Sequence, residues 1–197
     1  MEHFTPKTFN IPELAGISEK NIEEHLKLYA GYVKFSNQIL NEIQELLKDS
    51  EKNAYTIGEL NRRFSFEFNG MRNHEYYFAS FEGGAKSLPA ESTLKTAIEK
   101  EWGSLDAWLA RFKAIAMTRG VGWAILYYDK QTGKLLNAWV DEQHLGQLAT
   151  CQIILALDMW EHAFVYDYPT SEKKNYVEAF FANLNWEVIE QNFNSAS

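Results

Sequence analysis

Apolar residues recur at helical spacing through most of the first 80 positions. One run covers residues 22–47, and Ser18 precedes it with a side chain suited to capping a helix N-terminus. Polar residues at 49–53 interrupt the pattern, and a second helical run, rich in aromatic residues, covers residues 58–79. Two long helices joined by a short polar loop are typical of an antiparallel helical hairpin.

The pattern changes after residues 82–89, whose glycines and proline are typical of a linker. Beyond it the predicted helices cover 92–102, 104–117, 172–184 and 186–193, and the predicted strands cover 123–128, 135–140 and 153–157. We therefore predict an α+β fold with two domains. Residues 1–88 form an N-terminal helical hairpin, and in residues 89–197 helices surround a small three-stranded antiparallel sheet.

Asp158 and His162 follow the third predicted strand directly and are four residues apart. In a helical turn that begins at Asp158, both side chains would point the same way. A carboxylate oxygen and an imidazole nitrogen at that spacing can form two corners of a metal site. The alternative, in which Asp158 caps a helix and His162 is a hydrogen-bonded core residue, stays open on this spacing alone.

The chain contains five histidines, which limits the choice of further ligands. His25 lies in the first predicted helix and His74 in the second, so a hairpin can bring one residue of each arm together. We expect His3, in the irregular N-terminal segment, to be solvated. Three imidazoles and one carboxylate suit iron or manganese, whereas zinc more often takes cysteine. Each helix histidine taken alone is more often an ordinary core or surface residue.

The charge balance argues against several partners. A net charge of −8 makes nucleic acid and anionic membrane surfaces unfavourable partners. No apolar stretch is long enough to span a bilayer, and the first residues lack a basic segment followed by an apolar run. We therefore expect neither a membrane span nor a signal peptide. The single cysteine, Cys151, precludes an internal disulfide and favours a cytoplasmic location.

Four short motifs together resemble those of the iron/manganese superoxide dismutases. They are D-x-W-E-H followed by alanine and an aromatic residue at 158–164, N-H-x-x and two aromatic residues at 73–78, G-x-G-W at 120–123, and N-W-E at 185–187. The helix around His25, with Tyr32 and Asn37 downstream, looks like the first-ligand helix of that family. The resemblance spans residues 18–190.

The resemblance implies an oxidoreductase, a superoxide dismutase, that converts superoxide to dioxygen and hydrogen peroxide by alternating one-electron reduction and oxidation of a bound metal. It implies that one manganese or iron ion per subunit is held by four residues: His25, His74, Asp158 and His162. It also implies that Tyr32 stands at the substrate funnel and that Trp123 and Trp160 wall the metal pocket. A homodimer is implied too, in which Glu161 of one subunit bridges to His162 of the other.

Three further positions bear on the choice of metal. In the family that the chain resembles, a glutamine hydrogen-bonds the bound solvent molecule and comes either from the second helix or from the sheet. Gly70 occupies the helix position here and Gln143 lies before the third strand, which resembles the manganese pattern. His144 can donate the same hydrogen bond, and a polar surface turn is the remaining alternative. We therefore predict catalytic roles for Tyr32, Gln143 and His144, with manganese favoured over iron.

Two features depart from the family pattern. His25 and Tyr32 are seven residues apart, one fewer than expected, although two straight helical turns keep both side chains on one face. The family's gateway histidine has no counterpart, because the candidate positions hold Leu28 and Tyr29. Val165 stands where a tyrosine is expected three residues after the last ligand. In the family, that histidine and that tyrosine hydrogen-bond across the dimer. We therefore expect this hydrogen bond to be absent or rebuilt here.

Two other functions use similar residues. A non-haem iron oxygenase takes two histidines and one carboxylate, and a third histidine in a matching context argues against it. A non-catalytic metal-binding protein with the same fold would be marked by the loss of ligands, whereas all four candidates are present.

Overall fold

The computed structural model describes residues 3–197, so the first two residues of the predicted N-terminal domain lie outside it. The described residues form six α-helices and one three-stranded antiparallel sheet, which confirms the predicted α+β fold. Helices α1 (Glu19–Leu46) and α2 (Ser50–Ala79) form the hairpin. The later elements are α3 (Thr93–Trp102), α4 (Leu105–Ala116), β1 (Gly122–Asp129), β2 (Lys134–Asp141), β3 (Cys151–Asp158), α5 (Lys173–Ala182) and α6 (Trp186–Ala196).

The hairpin begins where the sequence indicates, but its second helix starts earlier. Ser18 Oγ accepts a hydrogen bond from the Asn21 N–H and caps α1, as predicted. A single 3-10 turn at Leu47–Asp49 replaces the predicted polar loop, and the Asp49 side chain caps α2. The predicted start of the second helix near Gly58 is therefore wrong. The polar residues that follow Asp49 form a largely exposed helical turn, in which Asn53 Nδ2 donates to the Leu46 carbonyl oxygen at 3.0 Å.

The sheet has the strand order β2-β1-β3, with β1 in the centre. The antiparallel register pairs Trp123 on β1 with Val140 on β2 and with Asp158 on β3. The first six residues of β1 are buried, because α4 and neighbouring elements cover this strand. Helices α2 and α6 pack against β3, which brings the last residue of that strand beneath the helical hairpin.

Residues 80–92 connect α2 to α3 through turns and irregular chain, at the place of the predicted linker. The division at residues 88 and 89 stays a prediction, and residues from both sides of it belong to one hydrophobic core. Among the helices of residues 3–197, none combines the length and apolar character that a bilayer crossing requires.

A buried carboxylate from the last helix caps α3. Glu190 accepts hydrogen bonds from the Thr93 N–H at 2.8 Å, from the Leu94 N–H at 3.3 Å and from the Ser92 hydroxyl. These amides belong to the first turn of α3, where backbone donors lack partners within the helix. A negative charge at that end also favours the helix dipole. Glu190 therefore joins the C-terminal helix to the start of the C-terminal half.

We expect Glu190→Gln to lower the free energy of unfolding by about 1–2 kcal/mol at pH 7, because hydrogen bonds to a charged acceptor are stronger than those to a neutral one. Glu187→Gln is the matched control on the same helix. The Glu187 carboxylate is half-exposed and, among residues 3–197, pairs only with Lys86, so its loss should cost less than about 1 kcal/mol. Chemical denaturation of both variants measures the difference.

The Glu190 effect should depend on pH. Burial alone would raise the pKa of the Glu190 carboxyl, but the hydrogen bonds from Ser92 and Thr93 hold it below its ordinary value of 4.5. A carboxyl group with a lowered pKa in the folded state contributes stability above its unfolded pKa and loses it as the pH falls through the folded pKa. The difference between wild type and Glu190→Gln should therefore shrink below pH 4.5. A difference that stays constant down to pH 3 would contradict this assignment.

Candidate metal centre

Four predicted ligands from both halves of the chain meet in the core. His25 comes from α1, His74 from α2, Asp158 from the end of β3, and His162 from a 3-10 turn at Glu161–Ala163. The Nε2 atoms of the three histidines, in that order, lie 3.2, 3.5 and 3.1 Å from Asp158 Oδ2. One possible ligand atom from each residue lies within 4.8 Å of all the others. We call these four residues the cluster.

Asp158 and His162 reach the cluster by a different route from the predicted helical turn. Asp158 still belongs to the extended strand, where it pairs with Trp123, and the chain turns only after it. The Trp160 N–H donates to Asp158 Oδ1 at 2.8 Å and thereby orients the carboxylate. No helical turn begins at Asp158, because strand pairing extends through that residue. The 3-10 turn nevertheless brings the His162 ring back to the carboxylate.

The protonation states of the cluster follow from its burial. His25, His74 and Asp158 are fully buried, and the His162 side chain is 21% exposed. Burial lowers the pKa of His25 and that of His74, the latter to about 3, so both imidazoles are neutral near pH 7. Burial alone would raise the pKa of the Asp158 carboxyl, but His162 and His25 hold it well below its ordinary value. Neutral imidazoles and an ionised carboxylate are the states that a metal ion requires.

The donor atoms of the cluster fit iron or manganese. His74 Nδ1 lies 2.6 Å from the Gly70 carbonyl oxygen, which can only accept, so Nδ1 carries the proton. The other ring nitrogen, Nε2, then points a lone pair into the cluster. That nitrogen is buried and has no hydrogen-bond partner within residues 3–197, as expected for an atom that awaits a cation. Imidazole nitrogens with a carboxylate oxygen and no thiolate suit these metals.

Gln143 is buried and bridges two side chains beside the cluster. Its Oε1 accepts from the Trp123 indole N–H at 2.9 Å, and its Nε2 donates to the Tyr32 hydroxyl at 2.9 Å. The Tyr32 ring lies 5.0 Å from the His74 ring between centroids. Burial raises the pKa of Tyr32 well above its ordinary value, so its hydroxyl stays protonated near pH 7. These contacts form a continuous chain of hydrogen bonds next to a ligand.

Gly70 makes room for this chain. A Cβ atom added at Gly70 would lie 2.6 Å from Tyr32 Cδ1, which is closer than real Cβ atoms approach a neighbour. A larger side chain at this position of α2 would therefore displace the Tyr32 ring and disturb its hydrogen bond with Gln143. A glutamine side chain at position 70 would therefore collide with the Tyr32 ring, to which Gln143 donates its hydrogen bond.

His144 does not take part in the same chain of hydrogen bonds. Its ring packs at right angles against Phe66, 5.7 Å between centroids, and its backbone N–H closes a turn with Asp141. Of the two side chains that the sequence offers as partners of a bound solvent molecule, Gln143 is the one that contacts Tyr32. The catalytic roles of both remain predictions.

Trp123 and Trp160 lie against ligand rings. Trp123 is fully buried and meets His74 edge-on, 5.0 Å between centroids. Trp160 stacks on His162 at 5.7 Å, and its indole N–H donates to the Glu142 carbonyl oxygen at 3.1 Å. Aromatic surface therefore lies against the cluster on two sides.

Several residues that hold this arrangement were missed from the sequence. Asn73 Nδ2 donates to the Gln143 carbonyl oxygen at 3.1 Å, and Gln147 Nε2 donates to Asn73 Oδ1 at 3.1 Å. The Tyr176 hydroxyl donates to the Asp158 carbonyl oxygen at 2.9 Å. Asn73 belongs to the motif at 73–78 and directly precedes His74, so the sequence alone could have marked it as a site residue. Gln147 and Tyr176 carry no local signal, because only the folded chain brings them to the site.

Both departures from the expected pattern have a structural description. Helix α1 stays a regular α-helix between His25 and Tyr32, so seven residues place both side chains on the cluster side. At the place of the missing histidine, Tyr29 is buried and its ring stacks 6.4 Å from the His74 ring. Leu28 is exposed instead. The phenol ring of Tyr29, and not an imidazole ring, therefore lies against His74.

Comparisons with known proteins agree with the geometry. A family model described as iron/manganese superoxide dismutases, C-terminal domain, matches residues 90–192. A superoxide dismutase (Fe) of Cupriavidus metallidurans is 36% identical, with 93% of this chain and 92% of the relative covered. A superoxide dismutase (Fe) of Aquifex pyrophilus is 35% identical over 99% and 90% of the two chains. A superoxide dismutase (Mn) of Mycolicibacterium smegmatis is 31% identical over 94% and 87%.

We expect His162→Ala to lower the affinity for iron or manganese by more than about 100-fold, since even residues that only support a ligand cost 10–100-fold. The fold should survive, because His162 is the least buried residue of the cluster. His144→Ala is the matched control and should keep its metal. Metal analysis of the purified variants, with circular dichroism to verify folding, makes the comparison. A His162→Ala protein with a full complement of metal would contradict the assignment.

Proposed function

The chain belongs to the iron/manganese superoxide dismutase family, and on that premise we propose that it converts superoxide into dioxygen and hydrogen peroxide. Each cycle consumes two superoxide anions and two protons. The observation that supports this function most strongly is the meeting of three imidazole nitrogens with the Asp158 carboxylate in the core. The proposal is tested by measuring superoxide decay twice, first with protein from which the metal has been removed and then after the metal has been restored.

His25, His74, His162 and Asp158 would hold the metal. A bound iron or manganese ion supplies the one-electron redox couple, which accepts an electron from one superoxide and returns it to a second. His25, His74 and the Asp158 carboxylate would present nitrogen and oxygen lone pairs to it without first losing a proton near pH 7. The Gly70 carbonyl and the Trp160 N–H orient two of these ligands, and such supporting contacts tune a metal's potential.

Tyr32 and Gln143 are the proposed catalytic side chains. Because Gln143 Nε2 donates to the Tyr32 oxygen, the Tyr32 O–H is free to donate to an oxygen in the pocket. We infer that this hydroxyl donates a hydrogen bond to superoxide as it is reduced and supports the transfer of protons that forms hydrogen peroxide. Trp123 and Trp160 are the proposed pocket walls that limit access of water. His144 is the second candidate for the role of Gln143.

The alternative functions gain no support from the described chain. An oxygenase of the two-histidine type leaves part of its site without protein ligands, whereas His25, His74 and His162 all lie within 3.5 Å of the same carboxylate oxygen. A non-catalytic metal-binding protein would not need the hydrogen-bonded pair of Gln143 and Tyr32 beside the cluster.

We propose that manganese supports an activity at least equal to that with iron. Relatives of both metal types match the chain, so this proposal depends on two positions. Gly70 leaves space that the Tyr32 ring fills, and Gln143 reaches Tyr32 from the loop before β3. This is the combination that resembles the manganese pattern.

Manganese-loaded protein should be at least as active per bound metal as iron-loaded protein. Gln143→Ala should lower activity about 10–100-fold and shift the reduction potential, because it removes a group that supports the metal's surroundings. Gln131→Ala, in the exposed β1–β2 turn, is the matched control and should change neither quantity. Activity assays after reconstitution and redox titration provide the test. If iron alone supports activity, the manganese proposal is wrong. If Gln143→Ala leaves activity and reduction potential unchanged, His144 is the next residue to replace.

We also propose a homodimer that is joined through the region of Glu161 and His162. Glu161 is exposed, and no side chain of residues 3–197 lies within hydrogen-bond distance of its carboxylate. The His162 Nδ1 likewise has no partner in the described chain, whereas its Nε2 faces Asp158. Val165 and Tyr166 next to them are 52% and 59% exposed, which leaves apolar surface uncovered. A two-fold axis here would let each Glu161 bind the other subunit's His162.

Glu161→Ala should weaken both dimerisation and metal retention. Each lost bond should cost about 1–3 kcal/mol, and two-fold symmetry makes it occur twice. Glu99→Ala, at an exposed position on α3, is the matched control and should leave the dimer intact. Sedimentation velocity at micromolar concentration and metal analysis measure both effects. A wild-type protein that sediments as a fully active monomer would rule out the proposed dimer.

We further propose a cytoplasmic location, supported by the single cysteine, which favours a reducing compartment. The net charge of −8 supports the proposal that nucleic acid and membrane surfaces are not partners.

A further inference from the structure

Four partly exposed rings border the cluster on its solvent side: Tyr32, Phe66, His144 and Trp160. We call these residues the aromatic rim. The Phe66 ring lies 6.0 Å from Tyr32, 5.7 Å from His144 and 6.4 Å from Trp160 between centroids. His162, the cluster residue with solvent exposure, stacks on Trp160. A small anion that comes from solvent on this side therefore passes the rim before it reaches the cluster.

Arg63 places a positive charge on this rim. Its guanidinium carbon lies 3.8 Å from the Phe66 ring centroid, within cation–π distance, and its side chain is 52% exposed. Glu67 Oε1 accepts from Arg63 Nε at 2.9 Å and lies 2.8 Å from Nη2, but the Glu67 side chain is only 8% exposed. The pair therefore presents its positive end to solvent and keeps its negative end inside.

Both charges of the pair lie near the site. Arg63 packs on Phe66, whose ring lies 6.0 Å from the Tyr32 ring between centroids, so the pair lies beside a proposed catalytic side chain. The neighbouring pair of Glu59 and Arg62 differs, because its side chains are 46% and 73% exposed. Within the described chain, Arg62 makes no cation–π contact with a rim residue. The position of Arg63 is therefore specific to the entrance and is not shared by its neighbour.

Superoxide is an anion, and a chain with a net charge of −8 repels it on average. We propose that the Arg63–Glu67 pair sets the local charge at the entrance and thereby the rate at which superoxide reaches the cluster. This proposal rests on the proposed function. The exposed guanidinium attracts the anion, and the buried carboxylate limits that attraction. Charges at the edge of a binding surface act mainly on the association rate and its salt dependence.

The two single substitutions should change kcat/KM for superoxide in opposite directions. Arg63→Gln should lower it about two- to fivefold at low ionic strength, and Glu67→Gln should raise it by a similar factor. The double variant restores the local charge balance and should return kcat/KM toward the wild-type value. Near 1 M salt, where the Debye length is about 3 Å, these differences should largely disappear. Stopped-flow decay of superoxide, normalised to bound metal, provides the measurement.

Arg62→Gln and Glu59→Gln are the matched controls, because they change the net charge by the same amounts on the same helix. Their effects on kcat/KM should be clearly smaller than those of the Arg63 and Glu67 variants. Equal effects in the two pairs would overturn the proposal. So would effects of the same sign for Arg63→Gln and Glu67→Gln, or effects that persist at high salt.

A second readout does not depend on turnover. Azide, a small monovalent anion, can be titrated into the metal-loaded protein and followed by the absorption spectrum. Its apparent affinity should fall in Arg63→Gln and rise in Glu67→Gln, while circular dichroism verifies that both variants are folded. A metal-loaded wild-type protein that removes no superoxide would overturn the proposed function instead. The azide titration would then still show whether the pair controls the entry of anions.

Discussion

The Asp158 carboxylate is fully removed from water and faces three imidazole nitrogens within 3.5 Å, and this arrangement constrains the rest of the molecule. A buried charge is costly unless a partner compensates it. Two of the histidines cannot provide that charge near pH 7, because burial lowers their pKa. A cation among these atoms would balance the carboxylate and accept each lone pair. The stability of the fold and the chemistry of the site are therefore coupled to the same binding event.

The fold supplies this site from distant parts of the chain and orients two of the four cluster residues, His74 and Asp158, through supporting contacts. The Gly70 carbonyl determines the tautomer of His74, and the Trp160 N–H and the Tyr176 hydroxyl hold Asp158 by its side chain and its backbone. Trp123 belongs to the central strand, pairs in register with Asp158 and also binds Gln143. The sheet, the helical hairpin and the hydrogen-bonded side chains beside the cluster are thus joined by direct contacts.

Much of this could be predicted because it depends on local patterns. Helical spacing located α1, and apolar runs bounded by turn residues located the three strands. The motif around Asp158 led to the hypothesis that all four candidate ligands hold the same metal ion. What could not be predicted depends on packing between distant segments. The early start of α2 depends on Asp49 acting as a cap, and the route to His162 depends on strand pairing with Trp123. The Arg63–Glu67 pair acquires its role only because Phe66 lies at the rim.

Anomalous diffraction from crystals of the metal-loaded protein shows directly whether the cluster holds the metal ion. Data collected on both sides of the manganese or iron absorption edge identify the element and its position in one experiment. We expect one strong peak per chain, bounded by Nε2 of His25, His74 and His162 and by Asp158 Oδ2. A loaded, folded protein whose anomalous peak lies elsewhere, or whose cluster shows no peak, would contradict this expectation.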